Sequence, residues 1–296
     1  VKRPPPPPSA LAVVIPAHNE AHELPAALAA LRMALRHPEA AAVPVVTVVA
    51  ADACTDTTAA IAAHWGAAIV ELPAHNVGAA RAAGVACALR LLGSRAERAW
   101  IATTDADSLV PPRWLAHQLR CARQGWHCVV GTVRIRPHAA LAPRTAARHR
   151  AHYFAGRPAP PHPWGHPHVH GANLGVAAAP YRATGGFAAL AHGEDRALVA
   201  ALEQRAYRIL RTDACPVHTS ARPDSRAPHG FGAFLRRIAL DDTPQGDMPL
   251  RAADPEAEQP STARDERGRP AASPSGGAAV ERACQKATAP AQRPSP

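Results

Sequence analysis

The sequence predicts an α/β fold: a mostly parallel, twisted sheet with helices on both faces and a smaller second region. Three observations carry this. Short continuous apolar runs such as LAVVIP and VPVVTVVA alternate with longer segments of helical spacing. These runs lack polar alternation, as strands buried on both faces do. The composition is 47% hydrophobic but only 4% aromatic, much of it alanine, so small side chains must pack helices closely against a sheet.

Leu11–Pro16 reads as a buried strand. Glu23–Arg36 has helical spacing, with Leu24, Leu28, Leu31 and Leu35 along one face. Val43–Ala50 is a second buried strand, Thr55–Trp65 a helix and Ala67–Leu72 a short strand. Val77–Leu92 is an alanine-rich helix, Ala99–Thr103 a strand, Pro112–Gln124 a helix opening on proline, and His127–Ile135 a strand. Beyond Arg144 the pattern loosens. A helical stretch runs to Phe154, followed by the loop GRPAPPHPWGHPHVHG and the strand-like ANLGVAA. A helix over Glu194–Gln204, a strand at Tyr207–Arg211 and a last helix near Phe231–Ile238 complete the reading.

The 296 residues suit one folded unit plus tails. Residues 1–10, VKRPPPPPSA, are expected to form a disordered, extended proline-rich arm. Residues 241–296 hold no Phe, Trp or Tyr and are expected to be a disordered tail. The folded unit is therefore 11–240. No apolar run reaches the ~18–20 residues of a membrane helix, and the N-terminus has no apolar signal region. The six cysteines include no CxxC pair, which fits reduced, ordinary residues in a cytoplasmic protein.

The net charge is +10, with −2 in the tail and +12 before it. Nearly all the positive charge is arginine. An anionic partner would explain this; a genome biased towards Arg and Ala codons would explain it equally.

In an open α/β sheet, ligands bind beyond the carboxyl ends of the strands. Here those ends read PAHNE, ADACTD and TTDADS. They deliver Asn19, Glu20, Asp52, Asp56, Asp105 and Asp107 to one rim, where a cation or donors must offset the carboxylates. Asp105 and Asp107, two residues apart on a turn, suit Mg2+ or Mn2+ shared with substrate phosphates. The plainer reading is that Asp107 or Ser108 caps the next helix. No GxGxxG follows the first strand, and neither GxxxxGK[ST] nor GxSxG occurs.

The ordered series PAHNE, ADACTD, HNVGAARAAG, TTDADS, GANLG with GGF, and GEDRAL resembles the catalytic domain of glycosyltransferase family 2, of the GT-A fold. The resemblance spans about Leu11 to Arg222. It implies a nucleotide-binding half (11–110) and an acceptor half (111–240), a nucleotide-diphosphate sugar donor, an acceptor hydroxyl, a divalent metal and inversion. Pro16, Ala17 and Glu20 match the loop lining base and ribose. Asp52 matches the acceptor for the base; the acidic residue often preceding it is Ala51 here. Asp56 supports that loop, and Arg81 matches the basic position near base and phosphates.

The same resemblance implies that Asp105 faces ribose or sugar, that Asp107 contacts the metal and that Asp195 is the catalytic base, with Glu194 beside it. Acidic residues opening a helix are also favoured as caps, and Asp195 can serve as both. Asn173, Gly185 and Gly186 match the region between donor and acceptor, and His218 a further metal ligand. His162, His166, His168 and His170 have spacing unlike a compact zinc site and read better as an acceptor lid. Arg222 and Arg226 carry charge suited to a diphosphate. The Q-x-x-R-W signature of processive synthases is absent, so transfer of a single sugar is expected. The arginine-rich flank 144–157 suits peripheral contact with a membrane surface or an anionic acceptor. A nucleotidyltransferase would carry a Gly- and Arg-rich signature after the first strand. The alternative is a binding module, either a degenerate scaffold that binds nucleotides or other anionic ligands or a basic nucleic-acid binder; the intact D-x-D and E-D speak against degeneration, and no nucleic-acid partner is expected.

Overall fold

In a computed structural model, residues 2–136, 143–159, 162–220 and 222 are described. Eight strands form one sheet in the order β3-β2-β1-β4-β7-β6-β8-β5. They are β1 (Ala10–Ala17), β2 (Val45–Asp52), β3 (Ala68–Leu72), β4 (Ala99–Thr103), β5 (Ser108–Leu109), β6 (Cys128–Ile135), β7 (Leu174–Ala177) and β8 (Ile209–Thr219). The helices are α1 (Leu24–Leu35), α2 (Pro38–Ala41), α3 (Thr58–His64), α4 (Val77–Leu92), α5 (Trp114–Arg123), α6 (Pro143–Tyr153), α7 (Ala178–Ala183) and α8 (Glu194–Gln204).

β1 pairs in parallel with β2 and β4, β2 with β3, and β6 with β8. β7 runs antiparallel between β4 and β6, and β5 antiparallel to β8. Two reversals on either side of β7 leave β6 and β8 pointing the same way as β4. The carboxyl ends of β1, β2, β4, β6 and β8 therefore share one rim.

β1 explains why the apolar runs are continuous. Leu11, Val13 and Ile15 enter a core with α1 and α5, whereas Ala10, Ala12 and Val14 enter the opposite core with α4 and α8. Both faces are covered, so both sets must be apolar. Gly84 lets α4 lie directly on Val14; a Cβ there would press into its side chain.

Several expectations need correction. The proline arm is not free: Lys2 N–H donates to Ala206 O (3.2 Å), Arg98 Nη2 to Pro7 O (3.0 Å), and His127 Nε2 meets Arg3 O (2.9 Å). Its carbonyls find donors on the body, which a composition argument does not see. The last strand runs on to Thr219, well past Arg211. α2, β5 and α7 have no counterpart in the sequence reading. Among the described cysteines, Cys54, Cys121, Cys128 and Cys215 are free thiols. Val77–Arg98 is 22 residues long and holds an 18-residue window of mean hydropathy 1.2, long and apolar enough to cross a membrane by composition alone. Its first sixteen residues are α4, packed into the core beside β1. The helix expected near Phe231–Ile238 and the tail 241–296 lie outside the described residues.

Candidate active site

The rim is built first by loops that brace one another. Beyond Pro16 and Ala17 at the end of β1, Asn19 adopts φ +53°, and its Oδ1 accepts from the backbone of Thr55 (2.7 Å) and Asp56 (3.2 Å). Asp56 returns the contact, accepting from Ala21 N–H at 3.0 Å. Glu20 is buried, its N–H donating to Thr58 Oγ1 at 2.8 Å.

Asp52 lies where the motif puts it, at the end of β2, but its carboxylate faces the chain itself. It accepts from Ala74 (2.7 Å), His75 (2.9 Å) and Asn76 (2.6 Å) backbone N–H groups. The reason is local: His75 sits at φ +47°, a costly conformation for a non-glycine residue, and the carboxylate pins it. Asp52 thus shapes the loop between β3 and α4 instead of presenting both oxygens to a base.

Arg81, on α4, is buried with its guanidinium between two carboxylates. Nη2 donates to Asp105 Oδ1 and Nη1 to Glu194 Oε1. Burial disfavours its charge, but Asp105, Glu194 and Asp195 outweigh that and raise its pKa. Asp105 side chain is 36% exposed. Burial pushes its carboxyl up to about 6, against the lowering effect of Arg81 and with Asp107, Glu194 and Asp195 adding to the rise.

Asp195 stands in the first turn of α8, after Gly193 in the left-handed region. Its Oδ2 accepts from Gly171 N–H (2.8 Å) and its Oδ1 from Arg196 N–H (2.7 Å). Gly171 in turn accepts from Thr103 Oγ1 at 2.6 Å. A Cβ on Gly171 would overlap the Arg81 guanidinium. Asp105, Arg81, Glu194, Asp195 and Gly171 therefore form one cluster joining the end of β4 to the head of α8.

Asp107 lies across the same turn. Its Oδ2 accepts from Arg222 Nη2 at 3.0 Å, and its main-chain O from Arg136 Nη2 at 3.1 Å. Thr219 Oγ1 lies 3.5 Å from its Oδ1.

The glycosyl transferase family 2 profile matches residues 12–181. The chain belongs to glycosyltransferase family 2. No curated protein matches it. Among solved structures it is similar to Staphylococcus aureus TarS 1-349, with 14% identity and TM-score 0.51, covering 78% of this chain and 65% of that one. It is also similar to the mannosyltransferase PcManGT from Pyrobaculum calidifontis, in complex with GDP-Man and Mn2+, with 20% identity and TM-score 0.51, covering 83% of this chain and 68% of that one. The chain thus spans about two thirds of each, and the likeness is one of fold. The sheet and its helices are those of a GT-A glycosyltransferase fold.

Within this family 2 chain, other sequence candidates fall outside the cluster. His218 does not face Asp107. Side chains alternate along β8: Cys215, Val217 and Thr219 point inward, so His218 points out, lining a shallow hollow with Pro111, Pro112, Arg113 and Pro216. Asn173 is buried and fully used, its Nδ2 donating to Thr132 O and Cys215 O (both 2.9 Å) and its Oδ1 accepting from Trp114 Nε1 (2.9 Å). It bolts β6, β8 and α5 together. Gly185 and Gly186, at φ +87° and +74°, turn the chain after α7, where Gly186 packs against the Tyr181 ring.

The histidine segment is built into the body. Tyr153 stacks on His168 with ring centroids 3.9 Å apart, and its hydroxyl meets His170 Nε2 at 3.0 Å. His166 is buried, with Nε2 near Val130 O and Thr212 O. His162 lies in the turn that opens the segment. Arg226 lies outside the described residues.

The sequence reading missed Arg136, Thr219 and the role of Gly171. Arg136 and Thr219 follow from the strand-end rule applied to β6 and β8 as well as to β1, β2 and β4.

Among the described residues no group of three or more His, Cys, Asp or Glu could hold a metal ion. Asp107 nonetheless fits Mg2+ or Mn2+. These ions take one or two carboxylates and complete their shell with water and substrate phosphates, and the Asp107 side chain is 23% exposed, with its Oδ2 already a cation site for Arg222.

Proposed function

We propose that the chain transfers one sugar from a nucleotide-diphosphate sugar to an acceptor hydroxyl, with inversion at the anomeric carbon. The observation that carries this is the Arg81 bridge. It ties Asp105 to Glu194 and so sets Asp195 beside the D-x-D turn.

Asp195 is the base. It takes the acceptor proton as the hydroxyl attacks the anomeric carbon. Gly171 and Arg196 N–H groups fix its carboxylate and leave acceptor capacity on both oxygens. Asp105 accepts from a ribose or sugar hydroxyl, and Arg81 holds it in place. Pro16, Ala17 and Glu20 line the nucleotide side, with Asp52 shaping the facing loop. Asp107 would hold Mg2+ or Mn2+, which when bound supplies charge neutralisation to the departing nucleoside diphosphate. The GDP-Man and Mn2+ complex of the structurally similar mannosyltransferase supports this choice of ligand class.

A thermal-shift screen of UDP-, GDP- and dTDP-sugars with and without Mn2+ tests the reading. One donor class should raise Tm only with Mn2+, and Asp107→Ala should abolish that rise. No response to any sugar nucleotide, with salt-sensitive binding to nucleic acid instead, would point to a binding module.

A further inference from the structure

Arg222 follows β8 and turns back into the rim. One nitrogen, Nη2, donates to Glu20 Oε1 at 2.7 Å and to Asp107 Oδ2 at 3.0 Å. The two carboxylates outweigh the cost of burial and hold the guanidinium firmly charged. Beside it Arg136 Nη2 donates to Glu23 Oε2 at 2.6 Å. Burial would raise the Glu23 carboxyl, but Arg136, with help from Arg222, keeps it lowered. Three carboxylates thus face two guanidiniums.

This arrangement bears on how a divalent ion reaches Asp107. The oxygen it needs already holds a cation. Adding a metal with Arg222 in place would set two cations against one carboxylate oxygen. Moving Arg222 away with nothing to receive it would strand a half-buried guanidinium, 25% exposed, and leave Glu20, 10% exposed, without that partner. A diphosphate resolves both problems, because its oxygens accept the planar guanidinium fork well and supply negative charge for two cations.

We propose that Arg222 is an internal counter-ion that couples metal binding to nucleotide-diphosphate binding. It occupies Asp107 Oδ2 in the free protein and passes to the diphosphate when metal and nucleotide enter together. The inference rests on the reading of Asp107 as the metal-holding residue. Coupling of this kind is reciprocal: the factor by which nucleotide tightens metal is the factor by which metal tightens nucleotide.

The test is Mn2+ binding to the full chain, followed by electron paramagnetic resonance of free Mn2+, alone and with UDP or GDP. Wild type should bind Mn2+ weakly alone and more tightly with the nucleotide. Arg222→Gln should bind Mn2+ alone at least about tenfold tighter, and the tightening by nucleotide should shrink by the same factor. Arg222→Lys, which keeps the charge without the fork, should stay near wild type for Mn2+ alone; it also serves if the glutamine variant does not fold. Unchanged Mn2+ affinity in Arg222→Gln, or a Lys variant that binds Mn2+ alone as tightly as Gln is expected to, overturns the proposal. Asp107→Asn separates the two levels. If it loses Mn2+ binding while Arg222→Gln changes nothing, only the coupling fails. If it binds Mn2+ with nucleotide as wild type does, the Asp107 reading fails and the coupling with it.

Discussion

Arg81 shows how much one side chain carries. It neutralises Asp105 and Glu194, and the Glu194 side chain is only 4% exposed. Arg81→Met would leave that carboxylate buried without its partner, a loss of about 3–5 kcal/mol. Arg81→Met with Glu194→Gln should recover part of it, because no net charge then stays buried at that pair. Urea denaturation of both variants checks this, and equal loss in single and double variants would contradict it. The sequence showed Arg81 and Asp105 as motif residues but could not show them touching, since the pairing joins the early turns of α4 to the loop after β4. Asn173 makes the converse point. Its motif position suggested a ligand contact, yet its three partners sit on β6, β8 and α5, elements whose meeting only the folded chain reveals.

At the scale of elements, α6 and the segment 162–170 form an aromatic stack around Tyr153. Burial, reinforced by neighbouring His152 and His168, pushes His149 down to about 4. Burial, with His168, His166, His149 and Arg196 adding to it, pushes His170 down to about 3. Both lie below the ordinary value of 6.5, so the native state holds these rings neutral. Below pH 6.5 the unfolded chain binds protons that the native chain refuses, and stability falls with pH. Urea midpoints should therefore decline from pH 7 towards pH 4, and His149→Gln should flatten the slope. A midpoint independent of pH over that range would contradict the burial of these rings. Asp105, raised to about 6, works the other way in the same window, but His166 and His168, also lowered by burial, add to the effect of His149 and His170. The sequence read this segment as a lid because prolines and histidines look like loop; it could not show Tyr153 stacking on His168. β8 was more legible than the reading used. Val217 and Thr219 straddle His218, and strand alternation alone separates His218 from Thr219, the side chain that meets Asp107.

For the whole molecule, the half built on β1 to β4 was legible because strands covered on both faces must be apolar throughout, and helices laid on them must be small-sided. The second half was less so. β7 reverses direction, β5 is two residues long, and Pro180 within α7 reads as a breaker although the first turn tolerates it. The shared rim is a property of the full strand order, and it gathers Asp105, Asp107, Arg136, Asp195 and Arg222 from distant stretches of chain. The proposed transfer depends most on Asp195 taking the acceptor proton beside the D-x-D turn. The direct measurement is turnover of Asp195→Asn, with its affinity for nucleotide and Mn2+ taken in parallel. Affinity should be unchanged and turnover lower by about 10²–10⁴-fold; turnover near wild type with affinity intact would contradict the role of Asp195 as base.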